Sequence, residues 1–328
     1  MNTKKVIGLL VPLLIVTALA GLYFGSAELT FGQFSAALTG GGTATHRTIL
    51  FSLRLPRVLA GILAGVGLST AGVLLQSVTA NELASPNIIG INSGAGLAVI
   101  LTLTLAPTAG KILPLAAFVG AFGAALCILA AADRLSGSRT AVLLIGIAIT
   151  TLLNAVISFL SLLDEGVLAQ YNHFTVGSLK AVYLDELWLP ALIICAAFGA
   201  AMLLSGQLGV LCLGDSAATA LGIRVKRLRI LALACAAAGA AAVVSFAGLL
   251  GFVGLVVPHT ARRLVGEKPA RMLPVAALVG AIIVVLADLL GRTLFAPSEL
   301  PVGILMSLVG APYFLILLCR RRQIAPVS

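Results

Sequence analysis

The sequence predicts an all-α, polytopic membrane fold of about ten transmembrane helices in a single domain, 1–328. Three observations lead there. Of the 328 residues, 60% are hydrophobic and 10% charged, with a mean hydropathy of +1.15, more apolar surface than a soluble core could hide. The apolar residues come in continuous runs of roughly 20, the length a helix needs to cross a hydrocarbon layer ~30 Å thick, whereas barrel strands alternate with a period of two. Finally, lysine and arginine gather between alternate runs.

In chain order the runs lie at 5–25, 57–79, 88–106, 112–132, 140–163, 187–205, 229–248, 250–265, 272–294 and 302–319. The first follows Lys4 and Lys5 and contains Ala18-Leu19-Ala20, a combination that also fits a cleavable signal peptide; because it stays apolar through Phe24, a retained span is the better reading. The second is studded with Gly61, Gly65, Gly67 and Gly72, small residues that let helices approach closely where lipid offers no hydrophobic drive. It carries no P-loop lysine, so these glycines are not a nucleotide cradle. Ala236 to Ala242 read the same way. The third run opens after Pro86 and is rich in glycine, and no hydrophilic loop separates the runs that meet at Gly248 to Gly251. Asp288 precedes Arg292 by four residues in the ninth run, one helical turn, so the two are expected to pair near its outer end.

Ten crossings with an inward N-terminus place 15 of the 21 basic residues inside, among them Lys4, Lys5, Arg134, Arg139, Arg224, Lys226, Arg227, Arg229, Arg262 and Arg263. Arg47, Arg54, Arg57, Lys111, Lys180 and Arg292 fall outside. This is the positive-inside bias, so the net charge of +10 is a signal of topology and of contact with an anionic leaflet, and nucleic-acid binding is not expected. Cys127, Cys195, Cys212, Cys235 and Cys319 are scattered without a C-x-x-C pair and read as small packing residues. His46, His173 and His259 stand away from any metal-ligand spacing. Without a nucleophile elbow, an H-E-x-x-H motif or a nucleotide loop, the chain is read as a non-enzyme that binds no cofactor.

One polar stretch is too patterned for a plain connector. Leu213 to Arg229 reads as a short inner helix, begun at Gly214 or Asp215, carried by Ala217, Ala218, Ala220 and Leu221, and stopped by Gly222 in a left-handed conformation. A basic run from Arg224 to Arg229 follows. The combination suits a docking knob for another protein.

Five stretches together resemble one family. They are Arg54-Leu-Pro-Arg57 before a Gly/Ala-rich span, Gln76 to Gly90, Leu213 to Arg229, Gly251-Phe-Val-Gly-Leu-Val-Val-Pro-His-Thr-Ala-Arg262, and Glu299-Leu-Pro-Val-Gly303 with Gly310-Ala-Pro312. Across nearly its whole length the chain resembles the permeases that carry iron-siderophore, haem and cobalamin complexes in type II ABC importers. The resemblance implies a multi-pass subunit of the bacterial inner membrane with both termini cytoplasmic, and two pseudo-repeats of inverted orientation, spans two to five against seven to ten. It implies as partners a second permease subunit in a homodimer, two cytoplasmic ATPase subunits that hold ATP and magnesium, an extracytoplasmic substrate-binding protein, and a metal-chelate substrate. It also assigns residues. Gly214 to Gly222 match the coupling helix that rests on the ATPase, with Arg224 to Arg229 available to its acidic groups. Arg54, Arg57 and Arg292 match arginines that receive glutamates of the binding protein, each expected as an exposed cation beside an apolar platform. Asn81, Leu83, Arg139 and Thr140 fall at the cytoplasmic gate, although Arg139 stands where a small hydroxyl residue is common and Glu82 where proline is. Pro86 and Asn87 keep a helix break, and Pro258 with His259 read as a kink with a locally bonded histidine. Two rival readings from residues alone are an ion-coupled secondary transporter, against which the scarcity of buried carboxylates speaks, and a non-transporting membrane scaffold or enzyme.

Overall fold

A computed structural model describes residues 2–86, 90–135 and 139–322, and every described element is helical. In chain order these are α1 (Thr3–Tyr23), α2 (Phe31–Leu38), α3 (Ala44–Arg47), α4 (Leu55–Thr79), α5 (Ile91–Leu105), α6 (Leu113–Leu135), α7 (Arg139–Ser161), α8 (Glu165–Val176), α9 (Leu184–Leu211), α10 (Asp215–Ala220), α11 (Val225–Ala247), α12 (Val253–Val265), α13 (Pro269–Thr293) and α14 (Val302–Arg322). Among the described residues, seven helices are long and apolar enough to cross a membrane. The three other expected crossings coincide with α5 and α14, whose apolar stretches Ile91–Leu105 and Val302–Ile316 are shorter, and with the 13-residue α12. The 15 residues of α5 and 13 of α12 rise only ~22 and ~20 Å, less than the hydrocarbon layer. Gly90, at φ +71°, immediately precedes α5. Before α12, Gly248 and Phe252 adopt φ of +67° and +63°, which ends α11 at Ala247 and begins a new helix inside the apolar run.

The second crossing begins earlier than the sequence suggests, as a continuous helical path from Ala44 to Thr79. Thr48–Arg54 is π-wound, and the Leu55 amide donates to the Leu50 carbonyl five residues back. Pro56 lies just beyond; having no N–H, it cannot donate to the carbonyl one α-turn back, and the wider turn takes up that break.

Helix α4 is the centre of the bundle, packed by α9, α11, α12 and α13. Its glycines permit this. A methyl group on Gly65 would lie 2.3 Å from the Gly280 carbonyl and the Ala281 amide of α13, and one on Gly72 would lie 2.0 Å from the Gly254 carbonyl of α12. The backbones touch, and dispersion replaces the absent hydrophobic drive between helices. The first helix packs against α13 and buries Val6, Leu10, Thr17 and Gly21. The cysteines depart from expectation: Cys127, Cys195, Cys212 and Cys319 face outward instead of packing in the core.

Candidate functional site

The short helix α10, expected from the sequence to lie on the inner side, forms at Asp215–Ala220. Gly214, at φ +114°, supplies the turn that admits it, and its carbonyl accepts from the Ala218 amide at 3.0 Å. Gly222, at φ +79°, closes it. The Gly222 amide donates to Thr219 and the Ile223 amide to Ala218, the paired bonds of a Schellman cap, which requires a left-handed residue at this position. Ala218 is buried against the bundle while Ala220 faces out, and Ala217 lies between. On either side stand Leu213 and Leu221, 73% and 67% exposed. An apolar pair astride a capped six-residue helix is a surface suited to another protein.

The basic run does not behave uniformly. Arg224 and Arg227 are exposed, but Arg229 is buried and its Nη2 donates to Asp215 Oδ2 at 2.9 Å. The expectation that the whole run is available to acidic groups of a partner is therefore corrected: Arg229 ties the first residue of α10 to the second turn of α11.

The inner turn after α4 is fastened in the same manner. Ala80 takes φ +49°, Asn81 Oδ1 accepts from the Leu83 amide at 2.9 Å, and Leu83 remains 46% exposed. Between them Glu82 lies 3.4 Å from Arg262 and 3.8 Å from His259 of α12, and Arg262 also donates to Gln76 at 3.2 Å. His259 is thus partnered across the fold by a residue 177 positions away, where a local bond was expected. The backbone of Arg139 and Thr140 opens α7; their side chains, and Asn87, lie outside the described residues.

At the end of the bundle that the sequence assigns to the outside, Arg54, Arg57 and Arg292 come together, as the resemblance implies, but not as exposed cations. They are 4%, 8% and 2% exposed. A buried guanidinium must find acceptors or lose several kcal/mol, and each of these does. Arg54 donates to the carbonyls of Leu22, Tyr23 and Ala27 at the end of α1. Arg57 Nε meets both oxygens of Asp288, at 2.8 and 2.9 Å, while its Nη1 donates to Glu299 Oε2 at 2.9 Å. Arg292 Nε lies 3.5 Å from Asp288, the expected pairing one turn apart, and its Nη2 donates to Gly21 O at 2.6 Å. Glu299 also accepts from Ser26 Oγ at 2.8 Å and lies 4.0 Å from Lys180 Nζ.

Arg54, Arg57, Arg292, Lys180 and Glu299 line a small pocket of about 150 Å³ with Gly25, Ser26 and Ala27. With Asp288 behind it, four cations face two carboxylates, an excess of two positive charges. Burial raises the Glu299 carboxyl, but the hydrogen bonds from Arg57 and Ser26 and the charges of Arg57 and Lys180 outweigh it and hold the group below its ordinary range. Sequence reasoning missed Glu299, Ser26 and Lys180. Glu299 is an acid in an outer turn close to three outer arginines, and that proximity in predicted topology was the available signal.

Residues 13–320 match the FecCD transport family. The chain is 35% identical over 319 residues to the iron(3+)-hydroxamate import system permease protein FhuG of Bacillus subtilis (strain 168), covering 94% of each chain. It is 38% identical over 328 residues to the hemin transport system permease protein HmuU of Yersinia pestis, covering 98% of this chain and 97% of that one. A solved structure described as an inward-facing metal-chelate type ABC transporter superposes with a TM-score of 0.86 at 29% identity, over 97% of this chain and 99% of the other. A full-length match of sequence and fold, with a capped inner helix and an arginine cluster at opposite ends of one helical bundle, makes this chain a member of the FecCD transport family.

Proposed function

We propose that this chain is the membrane-spanning permease subunit of an ATP-driven importer for a metal chelate, with an iron-siderophore as first choice and haem or cobalamin next. Two copies pair around a central path, two cytoplasmic ATPase subunits bearing ATP and magnesium bind the inner face, and a binding protein delivers the chelate outside. The observation that carries this is the end-to-end match to permeases named for ferric hydroxamate and haemin.

The division of labour follows from the residues. The segment from Gly214 to Gly222 that contains α10 is the ATPase contact: Leu213 and Leu221 seat it, and the Asp215–Arg229 pair passes its displacement to α11. The turn of Asn81 and Leu83, with Arg139 and Thr140 opposite, is the cytoplasmic gate. The outer cluster of Arg54, Arg57 and Arg292 receives acidic groups of the binding protein. Its excess positive charge supports this reading, since complementary fields steer and orient a partner even where they add little affinity. No bond of the substrate changes, so the chain needs no catalytic residue.

Reconstitution by omission tests the assignment. Vesicles holding the chain, its ATPase subunits and its binding protein are expected to take up a ferric hydroxamate only when ATP and every component are present. Uptake by the chain alone under a proton or sodium gradient would instead establish an ion-coupled secondary transporter.

A further inference from the structure

Arg57 is held by two carboxylates that differ in kind. Asp288 lies within α13, 3% exposed, and is engaged by two arginines. Glu299 lies on the non-helical turn between α13 and α14, lines the pocket, and holds Arg57 through one nitrogen. Its other contacts, Ser26 and Lys180, come from two further outer segments, and the Lys180 side chain is 68% exposed. Of the two carboxylates Glu299 is the more accessible, its side chain 12% exposed against 3% for Asp288.

The turn that carries Glu299 is linked to the interior. The Leu300 amide donates to Gly291 O, and four residues after Glu299 the Gly303 amide donates to Gly177 O. Gly303 packs directly on the Val176 carbonyl, where a methyl group would lie 1.9 Å away. From there Gly303, Ile304 and Ser307 line an open groove of about 630 Å³ shared with Val176, Leu249 and Phe252. Phe252 holds a left-handed φ that a bulky side chain rarely takes. A movement of Glu299 therefore reaches the groove within five residues of chain, a span of at most ~18 Å.

We propose that Glu299 is a built-in stand-in for the partner's carboxylate: it occupies Arg57 in the undocked permease, gives way to an acidic side chain of the binding protein, and thereby frees the 294–301 turn and the start of α14. This rests on the reading that the outer arginines receive the binding protein. Exchange keeps Arg57 paired at every stage, so no unpaired charge is buried during docking. It also gives the arrival of cargo a mechanical route to the groove wall.

The test uses the full transporter in lipid nanodiscs with its binding protein free of cargo as the probe. In wild type, affinity for the binding protein should fall steeply as salt rises from ~0.05 to 0.5 M; a salt-independent affinity overturns the docking reading, and the exchange with it. If docking passes, Glu299→Gln should bind the probe about tenfold tighter, because the internal competitor has lost its charge, and Ser26→Ala, which leaves Arg57 its partner, should shift affinity the same way by about threefold. Nitroxide labels at Ser298→Cys and Asp185→Cys, with the five native cysteines replaced, should report a turn that moves when the probe docks on wild type and is already displaced in Glu299→Gln alone. A turn that does not move on docking, or a Glu299→Gln variant that binds no tighter, overturns the exchange while leaving the docking face standing.

Discussion

Both carboxylate oxygens of Asp288 share the single Nε–H of Arg57, 231 residues away, and the carboxylate stands 3.5 Å from Arg292 one turn along its own helix. The carboxylate is thus the electrostatic hub between α4 and α13, the two helices whose backbones meet at Gly65 and Gly280.

Replacing Asp288 by Asn strips the buried Arg292 of its carboxylate partner and leaves Arg57 with Glu299 in place of two carboxylates. The expected loss is about 3–5 kcal/mol, read as a large drop in the thermal unfolding midpoint of the purified chain in detergent. Arg57→Glu should be as damaging, because it sets three carboxylates together; charge reversal at this position therefore measures folding before it measures docking.

Close helix approach gives a second expectation. Gly65→Ala places a methyl group 2.3 Å from the α13 backbone, and forcing the helices apart should cost about 1–3 kcal/mol. Gly123→Ala, in α6, meets nothing within 4 Å. It should leave the unfolding midpoint unchanged or slightly raised, since alanine is the better helix former.

The hydrogen bonds that hold Glu299 below the ordinary carboxylate range fix the sign of its pH dependence. A depressed carboxyl contributes its stabilising contact above the unfolded pKa of about 4.3 and loses it as pH falls through the lower folded value. The distance between labels at Ser298 and Asp185 should stay constant from about pH 8 to 5 and change only below about pH 4. A change near neutrality would mean that the clasp is not built on the Glu299 carboxylate.

The Asp215–Arg229 pair makes a prediction about transmission. Arg229→Met keeps much of the buried stem but releases α10 from α11. Uptake in reconstituted vesicles should fall about tenfold or more, while ATP hydrolysis by the bound ATPase persists within about twofold, a separation equivalent to roughly 1–1.4 kcal/mol of lost coupling. Equal loss of both activities would point instead to failed assembly.

Much of this was legible in the sequence, for reasons that differ by element. Hydropathy revealed the bundle because crossing helices are uniformly apolar, and Gly222 announced a helix stop because its position demands a left-handed residue. The Asp288–Arg292 pair was visible because the helical repeat makes near neighbours of residues four apart. Arg57–Asp288 and Glu82–Arg262 were not, since nothing local relates residues so distant, and outward-assigned arginines looked exposed when the fold in fact buries them. The late start of α12 was hidden in an unbroken apolar run, because Gly248 to Phe252 unwinds inside the bundle and shows no hydrophilic break.

The most direct test of an inner helix driven by a separate ATPase is to replace residues 214–222 by a flexible Gly/Ser linker of equal length and to measure uptake and ATP hydrolysis in the same vesicles. The account predicts that hydrolysis continues while ATP-dependent chelate uptake falls to the level seen without ATP. Uptake at the wild-type rate would contradict it.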